Sequence, residues 1–234
     1  LYLKYRLSRQ AERSNIKHLV IDEMQDYSRL QYLIIRRMFS CKMTILGDRA
    51  QTMADQQQDV LQFLPGIFGK DLRRIEMRKS YRNTVEIASY AANLIGVTDP
   101  ELFERHGMPV LERDVTDLEA ALREAVDTLF PDEKTYETAA VIVPDEKTAE
   151  RAYLILREIL AEKDFDCEKR LSWLNRDSSS FKKGLTVTTF YLAKGLEFDQ
   201  VFSIFPKDEK REMMMQAQYI AATRALHELR VYHI

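Results

Sequence analysis

Glycine is scarce in this sequence, which has only 7 among its 234 residues. That share is about 3%, against about 7% in an average protein, so a function resting on glycine-rich loops is excluded. Cysteine is scarcer still. The two cysteines, Cys41 and Cys167, and four scattered histidines exclude a disulfide framework and a zinc site. This cysteine usage is typical of a reduced, cytoplasmic protein.

No charge of either sign dominates, because 35 Lys and Arg face 37 Asp and Glu. A nucleic-acid partner would therefore have to be held by a local groove. No run approaches the roughly 20 apolar residues of a membrane helix, and no signal peptide is visible, so we expect no membrane partner. The sequence begins at Leu1 and not at Met, from which we expect that it was cut from a longer protein.

What the sequence does contain is an alternation of short apolar runs with helical patterns. Seven runs rich in Val, Ile, Leu and Phe predict strands buried on both faces of a parallel sheet: His18–Asp22, Met43–Gly47, Leu72–Met77, Ala139–Pro144, Leu185–Phe190, Val201–Pro206 and Leu229–Ile234. Helices are predicted over Ser28–Ser40, Asn83–Ile95, Asp117–Phe130, Lys147–Ala161 and Met213–Ala225. Asn83, with Glu86 three residues later, is predicted to be an N-cap with a capping box. The alternation predicts a doubly wound α/β fold.

A seam at residues 65–71 combines a proline, two glycines and a change of charge. We therefore divide the chain into residues 1–70 and residues 71–234. The first piece has only two predicted strands, too few for a complete domain. It either packs onto the rest of the chain or belongs to a sheet whose other strands precede this sequence.

Two acids, Asp22 and Glu23, directly follow the first predicted strand. The carboxyl ends of strands are where ligands bind in α/β sheets. An Asp at that place can hold Mg²⁺ through water, and its Glu neighbour can polarise an attacking water. The alternative is a strand end that meets solvent, followed by the start of a helix.

A second turn of the same kind follows the next strand, in the order Gly47, Asp48 and, three residues later, Gln51. A Gln at that level can orient a water or touch a terminal phosphate. The alternative is a simple turn between strand and helix, in which Gly47 permits the backbone conformation and the side chain of Asp48 caps the helix.

Tyr81 and Arg82 lie between a predicted strand and a predicted helix. Tyr offers a flat face to a nucleobase, and Arg can grip a phosphate with two hydrogen bonds. The alternative is a pair of surface side chains whose apolar stems cover the core.

Two further segments flank the last strands. Lys194, Gly195 and Glu197 connect two buried strands and suit a loop that contacts phosphate and ribose, although a charged connector has the same composition. Arg224 ends the last helix, where it either reaches a γ-phosphate as an arginine finger or complements the helix dipole.

The series VIDEMQD, LGDRAQ, SYR, TTFYLAKGLEFD and YIAATRA, in this order, resembles the motor core of superfamily one DNA helicases of the UvrD/Rep type. The AKGLEFD and ATRA segments are the most specific. The resemblance runs from about residue 18 to the end, with little to match at residues 97–138. It implies an ATP-driven translocase on single-stranded DNA, with two RecA-like domains and ATP in the cleft between them.

In this resemblance, residues 1–70 are the C-terminal part of the first RecA-like domain. Residues 71–234 are the second, a RecA-like parallel sheet with flanking helices. Some family members carry a large inserted domain in this second domain. Only about Leu171–Lys183 remains at that place, so we expect the insertion to be absent.

The resemblance also implies the cofactors ATP and Mg²⁺ and a role for each candidate residue. Asp22 would bind Mg²⁺, Glu23 would be the general base, Gln51 would sense the γ-phosphate, and Tyr81 would stack on adenine. Arg82 would contact the γ-phosphate, Lys194, Gly195 and Glu197 would contact the ribose or phosphates, and Arg224 would be the arginine finger.

The sequence departs from the family pattern at several places. The phosphate loop G-x-x-x-x-G-K-[ST] is missing, since Gly66–Asp71 has the wrong spacing and an Asp where a hydroxyl is needed. We therefore expect this chain alone to be inactive. Thr52–Asp55 replaces aromatic residues that stack on DNA, Tyr191 replaces a His, and Met213–Gln216 replaces basic residues.

These departures resemble the helicase IV/HelD-like branch, some of whose members act on RNA polymerase. Two functions therefore stay open. The first is a monomeric DNA helicase acting on single-stranded or duplex DNA, as in DNA repair. The second is a helicase-like protein that binds or remodels RNA polymerase.

Overall fold

The computed structural model describes residues 15–51, 60–69, 72–77, 80–98, 100–130, 136–163, 166–176, 178, 183–207 and 212–234. The chain divides into two compact units, Leu1–Met77 and Arg78–Ile234. The division lies a few residues beyond the predicted seam at residues 65–71. None of the helices in the described ranges has the length and apolar character that crossing a membrane requires.

The described residues of the first unit form a pair of parallel strands and two α-helices. Strands β1 (His18–Ile21) and β2 (Lys42–Ile45) pair with His18 opposite Lys42. Helix α1 (Arg29–Met38) follows β1, and helix α2 (Val60–Phe68) follows β2. Their core is formed by Ile21, Tyr32, Val60 and Leu64. Sequence reasoning missed α2, because Pro65 and Gly66 lie inside it and both residues disfavour helix interiors.

Helix α1 begins with a complete capping box. The backbone N–H of Ser28 donates to Oε1 of Gln31 at 2.7 Å, and the backbone N–H of Gln31 donates to Oγ of Ser28 at 3.3 Å. One turn later, the buried hydroxyl of Tyr32 donates to the carbonyl of Met24 at 3.0 Å. Burial raises the pKa of this phenol. The helix therefore anchors the turn that follows β1.

The second unit is a six-stranded, wholly parallel sheet in the order β3-β8-β7-β4-β6-β5. The strands are β3 (Leu111–Asp114), β4 (Thr138–Val143), β5 (Leu171–Trp173), β6 (Gly184–Thr189), β7 (Phe198–Phe205) and β8 (Ala225–His233). The helices are α3 (Val85–Leu94), α4 (Leu118–Asp127), α5 (Glu146–Ala161), α6 (Cys167–Arg170) and α7 (Glu212–Ala222).

Helices cover both faces of this sheet. Along β4, Val141 and Val143 face the cluster formed with α4 and α5, whereas Ala140 and Ile142 face the cluster formed with α3 and α7. Successive side chains of a strand point to opposite faces, so a strand covered on both sides needs apolar residues at consecutive positions. The predicted α/β fold with a parallel sheet and flanking helices is confirmed.

One predicted strand is absent from the structure, and two strands were not predicted. The segment Leu72–Met77 forms no strand, and its Ile75 and Met77 are 79% and 87% exposed. Charged residues separate its apolar ones, and among the described strands none pairs with it. The sheet instead gains two strands that were not predicted, Leu111–Asp114 and Leu171–Trp173. Both lie at its outer edges, where charge and shortness weaken the apolar pattern.

The predicted N-cap at Asn83 is wrong by one residue. Thr84 is the N-cap of α3, and its hydroxyl accepts the backbone N–H of Ile87 at 3.5 Å. The buried amide of Asn83 instead donates to the carbonyl of Ala225 at 2.6 Å and to that of Thr223 at 3.3 Å. These carbonyls lie where α7 passes into β8, and an unpaired buried carbonyl costs more than a cap contributes.

The carboxylate of Glu86 fastens the loop that follows α3. It pairs with Nδ1 of His106 and accepts the backbone N–H of Gly107, both at 2.9 Å. These hydrogen bonds, with that of His106 as the largest cause, lower the pKa of Glu86 from 4.5 to about 2. The lowered pKa stabilises the fold above pH 4.5, and this stabilisation is lost as the pH falls towards 2.

We therefore expect the substitution Glu86→Gln to lower the free energy of unfolding more at pH 6 than at pH 3. Urea denaturation of both proteins at the two pH values measures this difference. If Glu86→Gln lowered the free energy of unfolding by the same amount at pH 6 and pH 3, the assigned role of the carboxylate would be contradicted.

Candidate functional site

The first unit places two acids in the turn after β1. Asp22 is exposed, and its Oδ1 accepts the backbone N–H of Glu23 at 2.8 Å. Glu23 lies in the left-handed region, with φ 51° and ψ 52°. A residue other than glycine holds that conformation at a cost of about 1–3 kcal/mol, and such residues concentrate at functional sites. The backbone N–H of Met24, donating to the carbonyl of Leu46 at 2.8 Å, holds the turn against the end of β2.

A network of side-chain hydrogen bonds connects this turn with the turn after β2. Nε2 of Gln25 donates to Oε2 of Glu23 at 2.6 Å, and Oε1 of Gln25 accepts the backbone N–H of Asp48 at 3.1 Å. The carboxylate of Asp48 accepts the backbone N–H of Ala50 at 2.9 Å and Nε2 of Gln51 at 3.1 Å. Gln25 and Gln51 are both buried. Sequence reasoning missed the role of Gln25, and its only signal was an amide two residues after an acid.

Gly47 allows the two turns to approach this closely. A Cβ atom at this position would lie 2.6 Å from the backbone nitrogen of Met24 and would overlap Oε1 of Gln25. Carbon atoms do not approach backbone at such distances, so any larger residue would push the turns apart. The need for glycine here comes from space and not from backbone conformation.

The second unit brings Arg82 and Glu197 together. Nε of Arg82 lies 2.6 Å from Oε1 of Glu197, and both side chains are about half exposed. Tyr81 is 62% exposed, and its ring lies against Phe103 with centroids 5.4 Å apart and planes at 40°. Phe103 was not predicted, because it lies in a loop with little family resemblance.

Lys194 and Gly195 lie in the loop between β6 and β7. Gly195 has a φ of +80°, a conformation that favours glycine, and the backbone N–H of Leu196 donates to the carbonyl of Ala193 at 3.0 Å. This tight turn carries the chain into Glu197. Gly195 is exposed and Lys194 is partly buried.

Arg224 lies inside the second unit and is only 1% exposed. Its Nε donates to the carbonyl of Ile220 at 3.2 Å, its Nη1 to the carbonyl of Leu196 at 3.3 Å, and its Nη2 to Oγ1 of Thr223 at 3.1 Å. The guanidinium therefore ties the end of α7 to the loop that carries Glu197. Contact with a phosphate would require the side chain to leave these carbonyls.

Asn83, which was predicted to be an N-cap, and Arg105, which was not predicted, fasten the same region. Asn83 holds the carbonyls on either side of Arg224, as described above. The guanidinium of Arg105 donates to the carbonyl of Arg82 and, at 2.7 Å, to that of Leu226. The segment with Tyr81 and the start of β8 are therefore connected through buried or half-buried polar side chains.

The donor set fits a magnesium ion that arrives with a nucleotide. Mg²⁺ in proteins is commonly held by one or two carboxylates together with waters and phosphate oxygens, and Asp22 is such a carboxylate. In the part of the chain that the structure describes, no group of three or more His, Cys, Asp or Glu could cage a metal. In the second unit, the exposed ring of Tyr81 and the guanidinium of Arg82 suit a base and a phosphate.

Comparison with known proteins gives a family match for one segment and similar folds for the chain. Residues 2–53 match the family described as the UvrD/REP helicase N-terminal domain. No curated protein sequence matches the chain. Among solved structures, the chain is similar to the C-terminal domain of a possible DNA helicase from Lactobacillus plantarum WCFS1. The identity is 24% and the TM-score 0.50, with 66% of this chain and 88% of that chain covered.

A second similar structure is the PRRSV helicase, with 16% identity and a TM-score of 0.52. The match covers 95% of this chain but only 36% of that chain, so this sequence spans about a third of that helicase. At such identities the likeness shows the fold alone. It confirms an α/β fold with a parallel sheet and flanking helices, and the family match applies to residues 2–53 of the 234.

Proposed function

We propose that the full-length protein containing this sequence is an ATP-dependent DNA helicase or translocase that moves on single-stranded DNA. The network in the first unit carries the proposal. Glu23, in its left-handed conformation, is joined through Gln25 and Asp48 to Gln51, within a segment that matches a helicase family. A base, a metal-binding acid and a water-orienting amide at one sheet edge suit phosphoryl transfer to water.

In this proposal each residue of the first unit has a separate task. The nucleotide and its Mg²⁺ supply a polarised γ-phosphoryl group. Asp22 would hold the metal with its exposed carboxylate, and Glu23 would accept a proton from the attacking water. Gln51, whose amide Nε2 is held by Asp48, would contact the γ-phosphate. These positions are fixed before any ligand arrives, and preorganised groups contribute most to such reactions.

The second unit would contribute residues that bind the nucleotide. Tyr81 would stack on adenine, supported from behind by Phe103. Arg82, oriented by Glu197, would contact the γ-phosphate, and Lys194, Gly195 and Glu197 would form a loop near the ribose and phosphates. Arg224 would act as the arginine finger after leaving its backbone partners.

Residues 1–70 and 71–234 are proposed as parts of the two RecA-like motor domains, without the large inserted domain. We further propose that the protein is a cytoplasmic monomer that acts in DNA repair on single-stranded or duplex DNA. The net charge of −2 means that DNA would be held by a local groove.

The test is ATP hydrolysis by the full-length protein with and without single-stranded DNA. We expect DNA to stimulate hydrolysis, and we expect the DNA concentration for half-maximal stimulation to rise steeply between 50 and 200 mM salt, in proportion to the phosphates contacted. This 234-residue chain, which has no G-x-x-x-x-G-K-[ST] segment, is expected to show no measurable hydrolysis. A full-length protein without DNA-stimulated hydrolysis would overturn the proposal.

A second candidate is a helicase-like protein that binds or remodels RNA polymerase. Met213 and Met215 favour it, because they are 41% and 43% exposed on α7 where the family pattern has basic residues. Capture of RNA polymerase by the full-length protein from lysate, with and without nuclease, separates the two functions. Capture that survives nuclease favours the second, and steeply salt-dependent binding of single-stranded DNA favours the first.

A further inference from the structure

Gln25 has a buried side chain that bridges the two turns of the first unit. It is 8% exposed, and both ends of its amide are used. Nε2 donates to Oε2 of Glu23 at 2.6 Å, while Oε1 accepts the backbone N–H of Asp48 at 3.1 Å. An amide offers a donor and an acceptor at that spacing, whereas an ionised carboxylate can only accept. Neither a carboxylate nor an apolar side chain of the same length makes both bonds.

The backbone around Gln25 is held on both sides. The backbone N–H of Met24 donates to the carbonyl of Leu46 at 2.8 Å, and the carbonyl of Met24 accepts the hydroxyl of Tyr32 at 3.0 Å. The absence of a Cβ at Gly47 leaves just enough space for Oε1 of Gln25. These contacts hold the backbone next to Gln25, so the amide is positioned to reach both partners.

The network continues from Asp48 to Gln51, since the Asp48 carboxylate accepts Nε2 of Gln51 at 3.1 Å. Gln25 and Asp48 thus join Glu23 to Gln51 through side-chain and backbone hydrogen bonds. A shift of Asp48 therefore acts on both of them, on one through its side chain and on the other through its N–H and Gln25. The bridge therefore holds the turn after β1 and the turn after β2 in a fixed arrangement.

We propose that Gln25 is a positioning residue, which orients the carboxylate of Glu23 and couples it to the turn that carries Gln51. The inference rests on the proposed function, in which Glu23 accepts the proton of the attacking water. A displacement of about 1 Å at a reacting group costs on the order of 10²-fold in rate. Gln25 thus acts on turnover through Glu23, whose carboxylate it holds.

Two substitutions separate the two contacts of the amide. Gln25→Glu keeps an acceptor for the N–H of Asp48 but loses the donor to Glu23 and adds a like charge beside it. Gln25→Met keeps the length and loses both bonds. Gln31→Glu is the matched control, because it adds the same charge at an exposed position at the start of α1.

The first readout needs no nucleotide. Residue-resolved hydrogen exchange on the full-length protein is expected to show the backbone N–H of Asp48 exchanging about tenfold faster or more in Gln25→Met, since an amide without its acceptor is less protected. In Gln25→Glu and Gln31→Glu this N–H is expected to keep its protection. Unchanged exchange at Asp48 in Gln25→Met would overturn the bridge.

The second readout is the split between kcat and KM for ATP. We expect Gln25→Glu and Gln25→Met to lower kcat by about 10²-fold with KM within about threefold, and Gln31→Glu to leave both parameters close to wild type. Wild-type kcat in Gln25→Glu would overturn the positioning role. If the wild-type protein hydrolyses no ATP, the proposed function fails, and the exchange at Asp48 then still decides whether Gln25 bridges the turns.

Discussion

Replacement of Glu23 by Gln in the full-length protein is expected to lower ATP turnover by about 10²–10⁴-fold, the contribution of a general base. The amide has the size of the carboxylate, and its oxygen can still accept the hydrogen bond from Nε2 of Gln25. What it cannot do is take a proton from the attacking water. The fall should therefore appear in kcat, measured in the steady state, and not in the KM for ATP.

The fold provides the control for this variant. Glu23 keeps its left-handed backbone whether its side chain is an acid or an amide, so thermal unfolding of the variant is expected to match wild type. Glu158→Gln, an exposed position on α5, removes the same charge far along the chain and is expected to leave turnover unchanged. Wild-type turnover in Glu23→Gln would remove Glu23 from the proposed mechanism.

Arg224→Ala is expected to have two effects, of which the loss of turnover is the larger. An arginine finger contributes about 10³–10⁵ in kcat. The substitution also removes the donor to the half-buried carbonyl of Leu196, whereas the carbonyl of Ile220 still accepts the hydroxyl of Thr223 at 2.9 Å. An unpaired buried polar group costs about 1–3 kcal/mol. Turnover at low temperature and urea denaturation of the full-length protein measure the two effects separately.

A core substitution shows which part of the loss comes from the fold. Leu156 is fully buried on α5, and Leu156→Ala is expected to cost about 2–5 kcal/mol of stability. At a temperature where both variants remain folded, Leu156→Ala should turn over ATP near the wild-type rate, while Arg224→Ala should not. Equal turnover in the two variants would show that Arg224 serves the fold alone.

Strand β4 could be predicted from the sequence, whereas β3 could not, and the difference lies in their neighbours. The run around Ala139–Val143 is apolar at every position because helices cover both faces of the sheet. The residues of β3 are Leu111, Glu112, Arg113 and Asp114, and no apolar pattern marks them. They form a strand because β8 offers a partner more than 100 residues later in the chain, which local patterns do not reveal.

In the candidate site too, residues marked by the local sequence could be predicted, and residues whose role depends on contacts distant in the sequence could not. Asp22, Glu23 and Gln51 could be selected because they lie in the turns that follow apolar strands. Gln25 could not, because its role depends on a backbone N–H that lies 23 residues away and is brought near by strand pairing. The burial of Arg224 likewise depends on the loop carbonyl of Leu196, 28 residues earlier.

The outer strands of the six-stranded sheet also bear on how the protein behaves at high concentration. An outer strand exposes backbone groups to which a strand of another molecule can add, and such addition leads to aggregation. At one edge, β3 presents three exposed charged residues, Glu112, Arg113 and Asp114, and at the other β5 is only three residues long. Neither edge offers a long apolar strand to which another molecule could add. We therefore expect the edges of this sheet to resist aggregation.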